Sequence, residues 1–291
     1  MSKTTTKIIV FLNSLLREPS NISTLHFAKL SIENYQSWEY DEIKRIYHEF
    51  GQEFDLENKL ILDVGCGLGG KLLFYEEKNA KSVIGFDLRF LSVKSALSLT
   101  KKNNSQTIKL LNSNSASMPF PSDTFDVIVS INVFEHVDNL RETLIECKRV
   151  IKKDGLIFLH FPPFYSPWGA HLEGWINFPW PHIFFEDAQL LEAADYIEKN
   201  KKRNNNYIFS AKVDWSRYSR LPELNRTTIS GFLNLISETG LRVKHKSFLP
   251  VGRHYFTGFV GAWIVKILKI FTKIPILREV ITTKMVFVLT K

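Results

Sequence analysis

The stretch 60–70, LILDVGCGLGG, constrains this chain more than any other. An apolar run carries a single acid, Asp63, and Gly65, Gly67 and Gly69 follow at alternate positions. A short apolar run closed by glycines reads as a strand buried on both faces, here 59–64, running into a tight turn and then a helix near 69–78. Glycine admits positive φ and leaves no Cβ between the backbone and a ligand. The helix that follows presents free amides and the positive end of its dipole. The expectation is a nucleotide-type pocket at the carboxyl end of a central strand.

The rest of the chain supplies the sheet for such a strand. Strands are predicted at 82–86, 107–111, 125–131, 156–161, 241–248 and 281–289, with helices at 89–102, 138–151, 186–198 and 227–239 between them. Asp138 is a candidate N-cap, Asp154-Gly155 a turn into the fifth strand, and Gly240 a helix stop. Alternating units of this length argue for an open, mostly parallel sheet wound on both sides. Before it, 37–50 reads as an amphipathic helix with Trp38, Ile43, Ile46, Tyr47 and Phe50 inward and Glu42, Lys44 and Arg45 facing water. The apolar run 8–16 is interrupted by Asn13 and Ser14, which favours a helix packed on the protein over a signal sequence. Four segments result: a helical lid 1–58, a cofactor-binding core 59–161, an aromatic-rich cap insertion 162–226, and 227–291, which completes the core.

Net charge is +8, which permits an acidic partner, but no nucleic-acid motif accompanies it and nucleic acid is not expected. The lysines are scattered, with one cluster at 199–203. Cys66 and Cys147 make no disulfide framework, so a reducing, cytoplasmic setting is the simplest reading. The segment 256–273 is apolar with Lys266, Lys269 and Lys273 on one helical face. It is too broken to span a bilayer, and reads either as a helix packed on the protein or as a peripheral membrane contact.

Two readings of the glycine turn stand side by side. A dinucleotide site uses GxGxxG with an acid about 20 residues on for the ribose diol. Here the acid is Asp87, but the spacing is GxGxG, and Asp63 just before the turn would oppose a pyrophosphate. An acid there suits a ligand with an ammonium and a sulfonium group.

Taken with VIGFDL at 83–88, SASMPFPSDTFDVIVSINVFEHV at 115–137 and the endings 227–248 and 280–291, the stretch resembles the class I S-adenosylmethionine-dependent methyltransferases. Within them it is similar to the ubiquinone/menaquinone (type 11) group. The resemblance implies a Rossmann-like fold of seven strands with the last antiparallel, and S-adenosyl-L-methionine as cofactor. It implies that Gly65 and Gly67 let the backbone approach the methionine and ribose, and that Asp63 helps hold the amino-acid part. Asp87 would take the ribose diol and Leu88 would pack on the adenine. Asn114 and Ser115 stand where the family usually has an acid for the adenine amino group, and Asn132 would line the methionine end.

In such a fold the acceptor is read by inserts over the strand ends, here 1–50 and 162–225. The cap is rich in aromatics and holds His171 and His182, with His160 at its edge. One of the three is a candidate general base, His171 first and His182 with it; a metal site is not expected, because no short ligand spacing is present. Glu135-His136 reads as a structural pair. The expected function is methyl transfer to a small-molecule or lipid-like acceptor, with oxygen favoured over carbon or nitrogen. The alternatives are a peripheral membrane enzyme acting on a quinone, lipid or glycolipid, and an inactive cofactor-binding interaction module.

Overall fold

The structure is a computed structural model and describes residues 3–15, 31–50, 55–172, 175–200, 215, 218, 220–221, 224–251 and 266–291. In chain order its elements begin with α1 (Lys3–Leu15), α2 (Ile32–Ile46), a 3-10 turn (Tyr47–Phe50), β1 (Leu60–Val64), α3 (Gly70–Glu77), β2 (Ser82–Asp87) and α4 (Phe90–Lys102). Next come β3 (Ile108–Asn112), β4 (Phe125–Ile131), a 3-10 turn (Phe134–His136), α5 (Leu140–Val150) and β5 (Ile151–Phe161). The remainder is α6 (Pro181–Phe184), α7 (Asp187–Asn200), α8 (Ile229–Glu238), β6 (Arg242–Pro250), α9 (Pro275–Ile281) and β7 (Thr282–Thr290). Residues 201–203 of the lysine cluster and 256–265 of the amphipathic segment lie outside the described residues.

The chain divides into two compact units, one of Met1–Ser31, Pro163–Arg226 and Pro250–Thr283, the other of Ile32–Pro162, Thr227–Leu249 and Lys284–Lys291. The second holds a seven-stranded sheet in the order β3-β2-β1-β4-β5-β7-β6. β1 lies parallel to β2 and β4, β4 parallel to β5, and β7 antiparallel to β5, as expected. Alternation along each strand sorts side chains to two faces. Ile61, Val127, Val129, Phe158 and Val286 join Ile43, Ile46, Phe50 and Leu72 in one core. Leu62, Ile128, Leu159 and Phe287 join Leu144 of α5 and Phe232 of α8 in the other. Each fully buried large side chain contributes about 1.5–3 kcal/mol, and the two faces together hold the sheet between its helices.

Two local expectations are corrected. The N-cap of α5 is Asn139, whose side chain accepts from the Glu142 amide at 3.2 Å, and not Asp138. β5 begins at Ile151, not after a turn at Asp154-Gly155, because a register shift between Phe125 and Val127 of β4 absorbs the extra residues within the ladder.

The other unit has its own small core of Ile9, Ala170, Leu172, Ile176, Leu190, Leu191, Ala194 and Trp215. α1 packs there. Asn13, which breaks its apolar run, donates to Trp175 O at 2.9 Å and accepts from the Asn177 amide at 2.6 Å.

Candidate functional site

The glycine turn leaves β1 with Gly65, Gly67 and Gly69 all at positive φ, between 58° and 93°. All three positions are crowded against a side chain of their own, Gly69 by Ala96 Cβ at 2.8 Å. A Cβ on Gly65 would lie 2.4 Å from Val133 Cγ2, and one on Gly67 would lie 2.2 Å from Glu39 Oε1. The turn is moored to the end of β2. Gly65 and Cys66 amides donate to Phe86 O at 3.0 and 2.9 Å, and the Gly67 amide donates to Asp87 Oδ2 at 3.1 Å. Asp87 Oδ1 accepts from the Arg89 amide at 2.8 Å, so the carboxylate that the sequence assigns to a ribose diol is held rigid by backbone on both oxygens.

Beneath the turn lies a fully buried charged set. Asp63 has no exposure; its carboxyl lies beside the buried Tyr75 hydroxyl, and neither group completes a well-aligned hydrogen bond among the described residues. Lys71 is buried beside it, with Nζ donating to Gly65 O at 3.3 Å. Glu39 of α2 accepts from the Leu68 amide at 3.1 Å and the Gly70 amide at 2.9 Å. Burial pushes both carboxyls up to about 7, Asp63 and Glu39 alike, against the downward pull of the Lys71 ammonium. The arithmetic of charge explains this: one ammonium neutralises one carboxylate, and the second retains a proton near neutrality.

On the far side of Asp87, Leu88 is 68% exposed, as an apolar surface for a flat ring requires. Asn112 fixes its backbone by donating to Asp87 O at 2.7 Å and Leu88 O at 2.9 Å. Asn114 closes an Asx turn by accepting from the Ala116 amide at 2.9 Å, and Ser115 Oγ lies 2.9 Å from Thr143 Oγ1. The Asn114 amide nitrogen is therefore the side-chain group not engaged in that turn.

A second polar set lies at the ends of β4, β5 and β7. Asn132 follows β4 at φ 55°, its amide donating to His160 O at 2.8 Å. Its side chain is clamped: Nδ2 donates to both oxygens of Glu42 at 3.2 Å, and Oδ1 accepts from Lys284 Nζ. His160 is 2% exposed, with Nε2 3.3 Å from Glu49 Oε2 and Nδ1 without a partner among the described residues. Burial holds the imidazole below its usual range, against the raising effect of Glu49. Glu135 is also buried, which raises its carboxyl pKa, and its Oε2 has no partner among the described residues. Glu42, expected to face water, is buried, because α2 lies with that face against the polar strand ends.

His171 and His182 belong to the other unit. His171 sits at φ 51° with its amide donating to Trp168 O at 3.0 Å. His182 packs on Phe164 with ring centroids 4.8 Å apart, and burial lowers its pKa to about 4. No group of three metal-ligating side chains occurs among the described residues.

Sequence reasoning missed Lys71, Glu39 and Glu49. For Glu39 the signal was present: Gln36, Glu39 and Glu42 fall at spacings of three, one stripe of α2, and Glu49 follows in the 3-10 turn. Polar residues on a helix are read as solvated by default, and only a helix lying over polar strand ends reverses that.

Residues 62–159 match the family model described as a methyltransferase domain. The chain is 32% identical over 101 residues to a sterol 24-C-methyltransferase of Pneumocystis carinii, covering 34% of this chain and 27% of that protein. It is 28% identical over 148 residues to a ubiquinone biosynthesis O-methyltransferase of Thiobacillus denitrificans, covering 48% and 63%. The chain thus spans less than two thirds of the length of these curated relatives. Among solved structures, an S-adenosylmethionine dependent methyltransferase from Mesorhizobium loti superposes with a TM-score of 0.53 at 15% identity, covering 90% of this chain and 100% of that one, a likeness of fold.

Proposed function

Residues 62–159 are a methyltransferase domain of the S-adenosylmethionine-dependent type, and from that premise we propose that the whole chain transfers a methyl group to the oxygen of a small-molecule or lipid-like acceptor. The observation that carries this reading is the buried Asp63 carboxyl under a glycine cradle, one strand from Asp87. A ligand that brings an ammonium, a carboxylate and a ribose diol matches these groups in kind. Asp63 and Glu39 would meet the ammonium, Lys71 the carboxylate, and Asp87 the diol, while Leu88 and the Asn114–Ser115 corner would flank the adenine. Bound there, S-adenosyl-L-methionine supplies an electrophilic methyl on a cationic sulfur.

The chain's own contribution is then enclosure and orientation. Gly65 and Gly67 admit the ligand's close approach, and Asn132, held by Glu42 and Lys284, lines the methionine end. The aromatic insert with His171 and His182 is the segment we assign to reading the acceptor. Two buried free cysteines fit the cytoplasmic setting assigned to it.

A second reading, docking at a membrane, is favoured by one observation. Ile267, Ile270, Phe271, Ile274 and Ile276 are 40–78% exposed among Lys266, Lys269 and Lys273. Apolar side chains interleaved with cations suit an anionic bilayer surface. No helix among the described residues is long and apolar enough to cross a membrane.

The test uses cofactor labelled with carbon-13 in the methyl group and a fractionated cell extract as acceptor source. A labelled methyl bonded to oxygen is expected. A methyl on carbon or nitrogen contradicts the oxygen preference, and cofactor binding with no transfer to any fraction favours the interaction module.

A further inference from the structure

Beyond Asn132, which lines the methionine end, the polar set at the ends of β4, β5 and β7 buries ionisable groups that the cofactor reading leaves without a role. His160, Lys284 and Asn132 stand on one edge of the sheet: Ile131 pairs with His160 and His160 with Val286, two residues into β7 from Lys284. Glu42 and Glu49 reach the same edge from α2 and the turn after it, and Glu135 lies on the turn after Asn132. All four side chains, His160, Glu42, Glu135 and Asn132, are buried or half-buried.

The imidazole decides what the set can do. The Glu49 carboxylate, with Oε2 3.3 Å from Nε2, favours by its charge the tautomer with the single proton of a neutral imidazole on that nitrogen. Nδ1 is then a bare acceptor, and it is the nitrogen with no partner among the described residues, in a side chain 3% exposed. A buried acceptor left unmet costs on the order of 1–3 kcal/mol, and a ligand hydroxyl removes that cost. Three carboxyl groups, Glu42, Glu49 and Glu135, face two permanent cations here, Lys284 and the Arg45 guanidinium 3.7 Å from Glu42, with His136 4.0 Å from Glu135, so the corner has no surplus cation for an anionic head group.

We propose that this corner is the acceptor subsite, that its reacting partner is a neutral hydroxyl compound, and that His160 is the base that takes the hydroxyl proton, with Glu49 as the residue that positions it. The inference rests on the methyltransferase reading above. In the step, the acceptor O–H bond breaks and its proton passes to Nδ1. The freed oxygen pair forms the O–CH3 bond while the C–S bond breaks with its electron pair going to sulfur. Sulfonium and alcohol thus become thioether, ether and one proton on His160, whose new charge faces Glu49. The lowered basicity of the buried imidazole keeps it unprotonated at neutral pH and ready to accept. This assigns the base to the strand end, where the sequence had placed His171 first.

The test is nitrogen-15 NMR of histidine-labelled protein saturated with S-adenosylhomocysteine, using phenol, benzylamine and benzoate as probes with a common ring. His160 is expected neutral at pH 7 with its proton on Nε2. Phenol is expected to shift its Nδ1 resonance saturably, and benzoate to leave it unmoved. His160→Gln should weaken phenol binding at least tenfold while S-adenosylhomocysteine affinity stays within twofold. Glu49→Gln should move the proton toward Nδ1, which a purely structural Glu49 would not do; this variant carries the test should His160→Gln fold poorly. A proton on Nδ1 in the native protein, silence toward phenol, or a response to benzoate or benzylamine equal to that of phenol overturns the proposal. Failure of S-adenosylhomocysteine to bind would count against the cofactor reading alone, because the tautomer is also read on the free protein before S-adenosylhomocysteine is added.

Discussion

The amide of Gly67 donates to Asp87 Oδ2 at 3.1 Å, so the glycine turn and the end of β2 are one rigid unit before any ligand arrives. The same carboxylate accepts from the Arg89 amide. Removing it by Asp87→Ala leaves two backbone donors without their charged acceptor, a loss of about 1.5–3 kcal/mol per bond where water does not replace it. Hydrogen exchange at the Gly67 amide should quicken in the unliganded variant by tenfold or more. Unchanged exchange would show that the bond does not restrain the turn.

Gly67→Ala should be more damaging than a glycine-to-alanine change at an exposed position of negative φ. The position sits at φ 58°, and the new methyl would stand 2.2 Å from Glu39 Oε1. Left-handed backbone alone costs roughly 1–2 kcal/mol, and displacing a buried carboxylate adds to it. A fall in Tm of several degrees is expected, together with loss of cofactor-site affinity; a variant of native Tm would contradict the close approach of α2 to the turn.

The buried acids predict a pH dependence with a definite sign. Asp63 and Glu39 are raised from below 5 to about 7, so the folded protein binds protons that the unfolded chain releases between these values. Their contribution to stability is fully present below about pH 4 and is lost as pH rises through about 7. Lys71, whose pKa is raised, keeps its proton throughout this range and adds no slope. Asp63→Asn removes one titrating group and leaves Lys71 to neutralise Glu39. The native protein should therefore lose roughly 1–3 kcal/mol relative to this variant between pH 4.5 and 8. Chemical denaturation at a series of pH values reads this directly, and parallel curves for the two proteins would contradict it.

Asn13 offers a test in the other unit. It serves Trp175 O and the Asn177 amide at once, so Asn13→Leu should destabilise by about 1–3 kcal/mol despite making α1 more apolar. A more stable variant, by thermal denaturation, would show that α1 does not rely on that side chain.

The strand positions, the glycine turn and Asp87 at the end of β2 were legible because each follows from strictly local signals: apolar runs of strand length, glycines at alternate positions, an acid at a strand end. The buried stripe of α2 was not. Helical periodicity assigns Glu42 to water, and the burial that overrides it comes from where the helix lies, which no spacing within α2 reveals. The cap of α5 was missed by one residue because Asp138 and Asn139 are chemically equivalent caps, and the choice between them belongs to the geometry of the incoming chain. Asp154-Gly155 reads as a turn, but the bulge at Phe125–Val127 lets both lie within β5, a decision made by the neighbouring strand.

The central claim is that the turn after β1 and the acid after β2 together hold S-adenosylmethionine. Calorimetric titration of S-adenosylhomocysteine into the native protein, Asp87→Asn and Asp87→Ala addresses it most directly. The account predicts saturable binding to the native protein with one site per chain, and a loss of at least about tenfold, or ~1.4 kcal/mol, in Asp87→Ala, with Asp87→Asn between the two. Absence of binding to the native protein, or equal affinity in all three, would contradict it.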